Sequence, residues 1–219
     1  MAEKGGYKHF MLKKIHEQPR AVGDTILGRV ARDSGRVFLD CMEMSEAEFR
    51  SFQQVKIIAC GTSWQAGLAG KFMIEKLARI PVEVDYASEF RYRDPIMMAD
   101  TLTIVISQSD ETADTLAAQR EAKLNGARTL AICNVVGSMI TREAAGTVCT
   151  HAGPEIGVAS TTAFTCQMAA LFLPAMYLGH AKGHLDETAS SELASELLQT
   201  PGKLEAIVAG AADYEDLAR

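Results

Sequence analysis

The sequence predicts an α/β fold: a three-layer αβα sandwich around a five-stranded parallel sheet in the flavodoxin-like order 2-1-3-4-5, with further helices before and after it. Three observations carry this. From Val55 onward, strand-like and helical stretches alternate for more than a hundred residues, and strands joined by helical connections run parallel with right-handed crossovers. The strand runs are branched and apolar, as in Leu102-Thr103-Ile104-Val105-Ile106, which suits strands covered on both faces. Several of these runs then break abruptly into small hydroxyl residues ahead of a helix.

In chain order, Phe10, Leu12 and Ile15 recur at helical intervals, and Val22, Ile26, Leu27 and Val30 do so after a break at Pro19. Proline suits the first position of a helix, so Pro19 is expected to open a second one. Strands are expected over residues 55–59, 82–86, 102–106, 129–132 and 147–150. Helices are expected over 65–78, in a short piece near 88–93, and over 111–124 and 139–145. Residues 163–179 are apolar but are interrupted by Gln167 and Pro174. They fall short of the roughly 20 apolar residues that span a bilayer, so a buried helix kinked at Pro174 is expected. Beyond Gly183 come a helix over 187–198, the pair Pro201-Gly202, and a last helix from Leu204. The chain thus divides into an N-terminal helical segment (1–50), an α/β domain (51–183) and a C-terminal helical segment (184–219).

At 219 residues the chain is long enough for one substantial core with extra helices. Its formal net charge is -6 with no basic run, which argues against nucleic acid as a partner. The five cysteines, at 41, 60, 133, 149 and 166, form no CxxC pair. Nothing at the N-terminus resembles a signal peptide, so reduced thiols in the cytoplasm are expected and a membrane is not.

In an open parallel sheet, ligands bind beyond the carboxyl ends of the strands where the strand order reverses. In the order 2-1-3-4-5 that point lies between the first and third strands. The turns there are Cys60-Gly61-Thr62-Ser63 and Ser107-Gln108-Ser109-Asp110-Glu111-Thr112, and a third, Gly157-Val158-Ala159-Ser160-Thr161-Thr162, follows the fifth strand. A single hydroxyl turn is more often only a helix cap. Three of them at strand ends favour a binding site. Helix N-termini and hydroxyls with almost no side-chain cation suit a ligand carrying a phosphate and hydroxyls. With no Walker A lysine and no GxGxxG, a sugar phosphate fits better than a nucleotide, and no cofactor is expected. Asp110 opposes the design, because a carboxylate suits a helix N-terminus but repels a bound phosphate.

Other candidates are weaker. His180 and His184 are four apart, but Gly183 lies between them and no carboxylate completes a zinc motif, so no metal is expected. Cys60 is either an activated thiol or, by default, a small hydrophobe. Arg91 and Arg93 could reach a ligand, but pairing with Glu89 and Asp94 is the favoured reading.

The stretches "ACGTSWQAG", "DYASEFRYRDP", "SQSDETADTL", "LAICNVVGS" and "EIGVASTTAFT", with the opening "KGGYKHFMLKKIHEQP", closely resemble the isomerase half of glutamine–fructose-6-phosphate aminotransferase (glucosamine-6-phosphate synthase). The match is to the first of its two sugar isomerase (SIS) domains and covers nearly the whole chain. It implies the SIS fold, a homodimer, and a part in making glucosamine 6-phosphate from fructose 6-phosphate and glutamine-derived ammonia. It also implies that Ser107, Gln108, Ser109 and Thr112 hold the phosphate, with Cys60, Gly61, Thr62, Ser63, Val158 and Ser160 around the sugar.

Three departures qualify that expectation. The chain opens Met1-Ala2-Glu3 where the family's glutaminase half has a nucleophilic cysteine, and it stops where a second SIS domain would begin. The family's acid/base glutamate, ring-opening histidine and Schiff-base lysine belong to that second domain, so no catalytic residue is assigned and the chain alone is expected to be inactive. Finally, the family's Ser-Gly-Glu-Thr is here Ser109-Asp110-Glu111-Thr112, and its STKAFT is here residues 160–165 with Thr162 in place of lysine. Both changes are expected to work against an anion. The alternative is a non-catalytic sugar-phosphate sensing module, which a DNA-binding helix-turn-helix would favour; the N-terminal region offers no sign of one.

Overall fold

Five parallel strands are hydrogen-bonded in the order β2-β1-β3-β4-β5, as the alternating pattern predicts. They are β1 (Gln54–Ala59), β2 (Val82–Tyr86), β3 (Thr101–Ser107), β4 (Arg128–Cys133) and β5 (Gly146–Cys149). The computed structural model describes residues 4–39, 41–108, 113–156 and 160–217, without the side chains of Glu215 and Asp216. Expected and observed strands agree to within a residue at each end. β3 is buried along its whole length, so its continuous apolar run needs no polar face.

Because side chains alternate along a strand, the sheet presents two faces to two helical layers. Val55, Ile57, Leu102, Ile104, Ile106, Leu130 and Ile132 join the larger core with α1 (Phe10–Ile26), α3 (Gly61–Ala78) and α7 (Thr162–Ala181). Ile58, Val105 and Ala131 form the smaller one under α4 (Ala87–Phe90), α5 (Ala113–Leu124) and α6 (Met139–Glu143). The remaining helices are α2 (Glu46–Ser51), α8 (Glu187–Ala209) and α9 (Ala211–Leu217). α2 begins at a capping box, in which the Ser45 hydroxyl accepts from the Glu48 amide and the Glu48 carboxylate accepts from the Ser45 amide.

Proline placement corrects the helix plan. Pro19 does not open a helix; α1 runs through it. Pro201 does not separate two helices, since α8 runs through it as well, and α7 continues past Pro174. A proline inside an isolated helix costs about 3 kcal/mol. Here packing offsets that local cost. Ala21, Val22 and Ile26 of α1 enter the main core, and α8 lies against α1, with the Pro201 ring facing Gly23.

α7 is the one helix among the described residues that is long and apolar enough to cross a membrane, yet 67% of its most apolar window is buried in the protein. It packs along α3, and Gly70 makes that approach possible: a Cβ there would meet Leu171 Cδ1 at 2.9 Å.

Candidate functional site

β1 and β3 are adjacent, but the chain leaves them in opposite directions, through α3 to β2 and through α5 to β4. A crevice forms at such a point beyond the strand ends. The register pairs Ile58 with Val105, and continued by two residues it sets Cys60 level with Ser107. The first two hydroxyl turns therefore start side by side.

Cys60 is the N-cap of α3, with extended backbone and no side-chain cap bond. Gly61 follows at φ +56°, a left-handed conformation that glycine adopts without steric cost. Gly61 and Thr62 are exposed, and the first amides of α3 have no intrahelical partner. Ser63 instead turns inward. It is 8% exposed, and its hydroxyl accepts from Gln167 Nε2 at 3.0 Å. A hydroxyl that accepts still has its own proton to donate. Gln167 thus ties the start of α3 to α7, a role that sequence reading missed, although a lone amide in an apolar helix was a visible signal.

Ser107, 3% exposed, closes β3. Gln108 follows, with a buried side-chain carbonyl that has no partner among the described residues. Ser109, Asp110 and Thr112 lie outside the described residues, as does Val158. Ser160 is partly exposed just before the N-cap of α7.

The amino end of α7 is already occupied. The Glu155 carboxylate accepts from the Ala163 amide at 2.9 Å and from the Thr161 hydroxyl at 3.0 Å. A carboxylate suits that end of the helix dipole and uses donors an anionic ligand would need. Thr162 is 1% exposed, and its hydroxyl donates to the Lys14 carbonyl at 3.1 Å, so the threonine side chain is turned toward α1.

The two arginines pair with acids, but not with their sequence neighbours. Arg91 donates to Asp114 in the first turn of α5 at 2.7 Å and lies over the Tyr92 ring. Arg93 binds Asp85 and approaches Glu83 at 3.6 Å. Burial pushes the Asp85 carboxyl up, and the Arg93 charge offsets this only in part. The folded chain brings Asp85 and Asp114 to these cations in place of Glu89 and Asp94. His180 and His184 sit at the exposed carboxyl end of α7, and no group of three or more potential metal ligands occurs among the described residues. A cavity of about 590 Å³ near the same end is lined by Arg36, Phe38, Met44, Tyr177 and His180. It includes none of the three turns at the strand ends.

Comparison with known proteins agrees with this geometry. The family model of the SIS domain matches residues 48–176, more than half of the chain. Over 204 residues, 93% of this chain, the sequence is 55% identical to glutamine–fructose-6-phosphate aminotransferase (isomerizing) of Clostridium tetani, of which it covers 33%. The enzyme of the same name from Symbiobacterium thermophilum is 52% identical over 97% of this chain and 36% of its own length. Among solved structures, the C-terminal domain of glucosamine-fructose-6-phosphate aminotransferase from Francisella tularensis superposes with a TM-score of 0.86 at 42% identity, covering 92% of this chain and 56% of that one. The chain spans about a third of the length of the curated relatives it matches. On its sequence, its strand order and the placement of its turns, the chain belongs to the SIS domain family.

Proposed function

We propose that this chain is the first sugar-phosphate-binding SIS domain of an isomerizing glutamine–fructose-6-phosphate aminotransferase. The observation that carries the reading is the alignment of two hydroxyl turns at the β1/β3 switch point in a chain 55% identical to that enzyme. Ser107, Gln108, Ser109 and Thr112 are proposed to hold the phosphate of fructose 6-phosphate or glucosamine 6-phosphate. Cys60, Gly61, Thr62, Ser63, Val158 and Ser160 are proposed to surround the sugar. Helix amides and hydroxyls can hold an anion without a side-chain cation, and the nearby arginine Arg91 is already paired.

The reaction of the whole enzyme comprises ring opening, attack of ammonia on the ketose carbonyl and proton transfer between adjacent carbons by a general base. The groups for those steps are assigned to the second SIS domain, so this chain is proposed to bind without turning over. Given fructose 6-phosphate with glutamine or ammonia, the purified chain should form no glucosamine 6-phosphate while still binding the sugar phosphate saturably. Turnover would show that catalytic groups lie within residues 1–219, and absence of binding would remove the assignment.

The chain is further proposed to form a homodimer in the cytoplasm. A groove of about 320 Å³ between the outer helices, lined by Val22, Met73, Met168, Phe172, Leu193 and Leu197, supplies apolar surface for a second copy. The five thiols are all free, which suits a reducing compartment.

A further inference from the structure

Lys14 is a buried cation that the reading above does not use. On α1 it is 5% exposed, whereas its neighbour Lys13 and their shared acid Glu17 have side chains 24% and 35% exposed. Burying an ammonium group is costly unless it is paired. A helix-surface ion pair would not require it.

Both ends of Lys14 meet the junction that leads into α7. The ammonium donates to Glu17 at 2.8 Å and packs on Gly153, where an added Cβ would come 3.9 Å from Nζ. Gly153 has φ +72° and so resists a side chain. On its other side, Gly153 accepts through its carbonyl from Asn134 Nδ2 at 2.9 Å. Asn134, just beyond β4, also accepts from the Ala152 amide at 2.7 Å and the Thr150 hydroxyl at 3.2 Å. Segment 150–153 is therefore held by Asn134, with the Lys14 ammonium beside Gly153 on its other side. Two residues on, Glu155 caps α7. At its other end, the Lys14 carbonyl accepts from Thr162. One turn later, Gln18 Oε1 accepts from the Thr165 hydroxyl at 2.6 Å.

We propose that Lys14 is a positioning residue for the sugar-phosphate site: from α1 it fixes segment 150–156 and the first turn of α7, and thereby Ser160, without touching the ligand. Position 162, where the resembling motif carries lysine, here meets the backbone end of Lys14. The proposal rests on the sugar-phosphate reading for its consequence, but not for its geometry.

The test compares wild type with Lys14→Met, Lys14→Arg and a control, Lys182→Met, which removes another largely covered lysine whose ammonium donates to the Phe52 carbonyl far from the site. Hydrogen exchange and fructose 6-phosphate affinity are both read at a temperature where every variant is folded. Loss of the charged contact should speed exchange about tenfold in residues 150–156 and 160–166, with β1 to β4 unchanged, and weaken fructose 6-phosphate by a similar factor. Arginine should restore most of both, and Lys182→Met should lower Tm and leave both alone. If Lys14→Met does not fold, Thr162→Val, which removes the contact at the other end, carries the same two readouts. Unchanged exchange in 150–156 and 160–166 overturns the proposal, as does unchanged affinity in a chain that binds. If wild type itself binds no sugar phosphate, the reading of the site fails instead, and exchange alone decides whether Lys14 positions the junction.

Discussion

Ser63 accepts from the Gln167 amide and still has its own proton to donate. Ser63→Ala should strand that buried amide, at about 1–3 kcal/mol, and a lower denaturation midpoint would show it. A ligand contact at Ser63 would add weaker fructose 6-phosphate binding. Asp110 poses the opposite problem. Two unit charges about 5 Å apart repel by roughly 3 kcal/mol at an effective dielectric near 20, so Asp110→Gly should tighten sugar-phosphate binding. Asp110→Asn removes the charge, keeps the bulk and tolerates a left-handed backbone. Equal gains in calorimetry would assign the obstacle to charge, a gain for glycine alone would assign it to geometry, and equal affinity in all three would clear Asp110 altogether. The hydroxyl turns could be read from the sequence because each is a local run following a strand. Gln167 could not be assigned to Ser63, because the two are 104 residues apart. The tie between the Lys14 carbonyl and Thr162 escaped for the same reason, since those residues are 148 apart.

Strands were easier to place than helix breaks. A buried parallel strand writes its own apolar run, as β3 and β4 do. A proline is a strong local signal that packing can override, and α1, α7 and α8 each carry one inside. What the packing will not accept is extra bulk between α3 and α7. Gly70→Ala would put a methyl 2.9 Å from Cδ1 of the fully buried Leu171. Overpacking of that kind costs about 1–3 kcal/mol, measurable by urea denaturation. α1 also carries a pH-dependent element. Burial raises the Glu17 carboxyl, but its hydrogen bond to Lys14 and the charges of Lys14 and Lys13 outweigh this and hold it below its ordinary 4.5. A depressed carboxyl contributes fully above its unfolded value and loses that contribution as pH falls through the folded one. The α1/α7 contact should therefore loosen below pH 4.5, visible as faster exchange in residues 160–166. Glu17→Gln should abolish that pH dependence.

At the scale of the whole molecule, the sheet sets the starts of two hydroxyl turns, Cys60 and Ser107, level with each other. A homodimer through the outer helices would appear in sedimentation equilibrium at micromolar concentration, and a monomer there would count against it. A phosphorylated sugar is proposed to sit at the carboxyl ends of β1 and β3. The direct measurement is a fructose 6-phosphate titration of the isotopically labelled chain followed by amide chemical shifts, which register weak binding as well as strong. Saturable shifts at Cys60 to Ser63, Ser107, Gln108 and Ser160, reproduced in part by inorganic phosphate and absent with unphosphorylated fructose, are predicted. Shifts that are absent at millimolar ligand, or that map to the α7 carboxyl-end cavity around Arg36 and Tyr177 instead, would contradict the account.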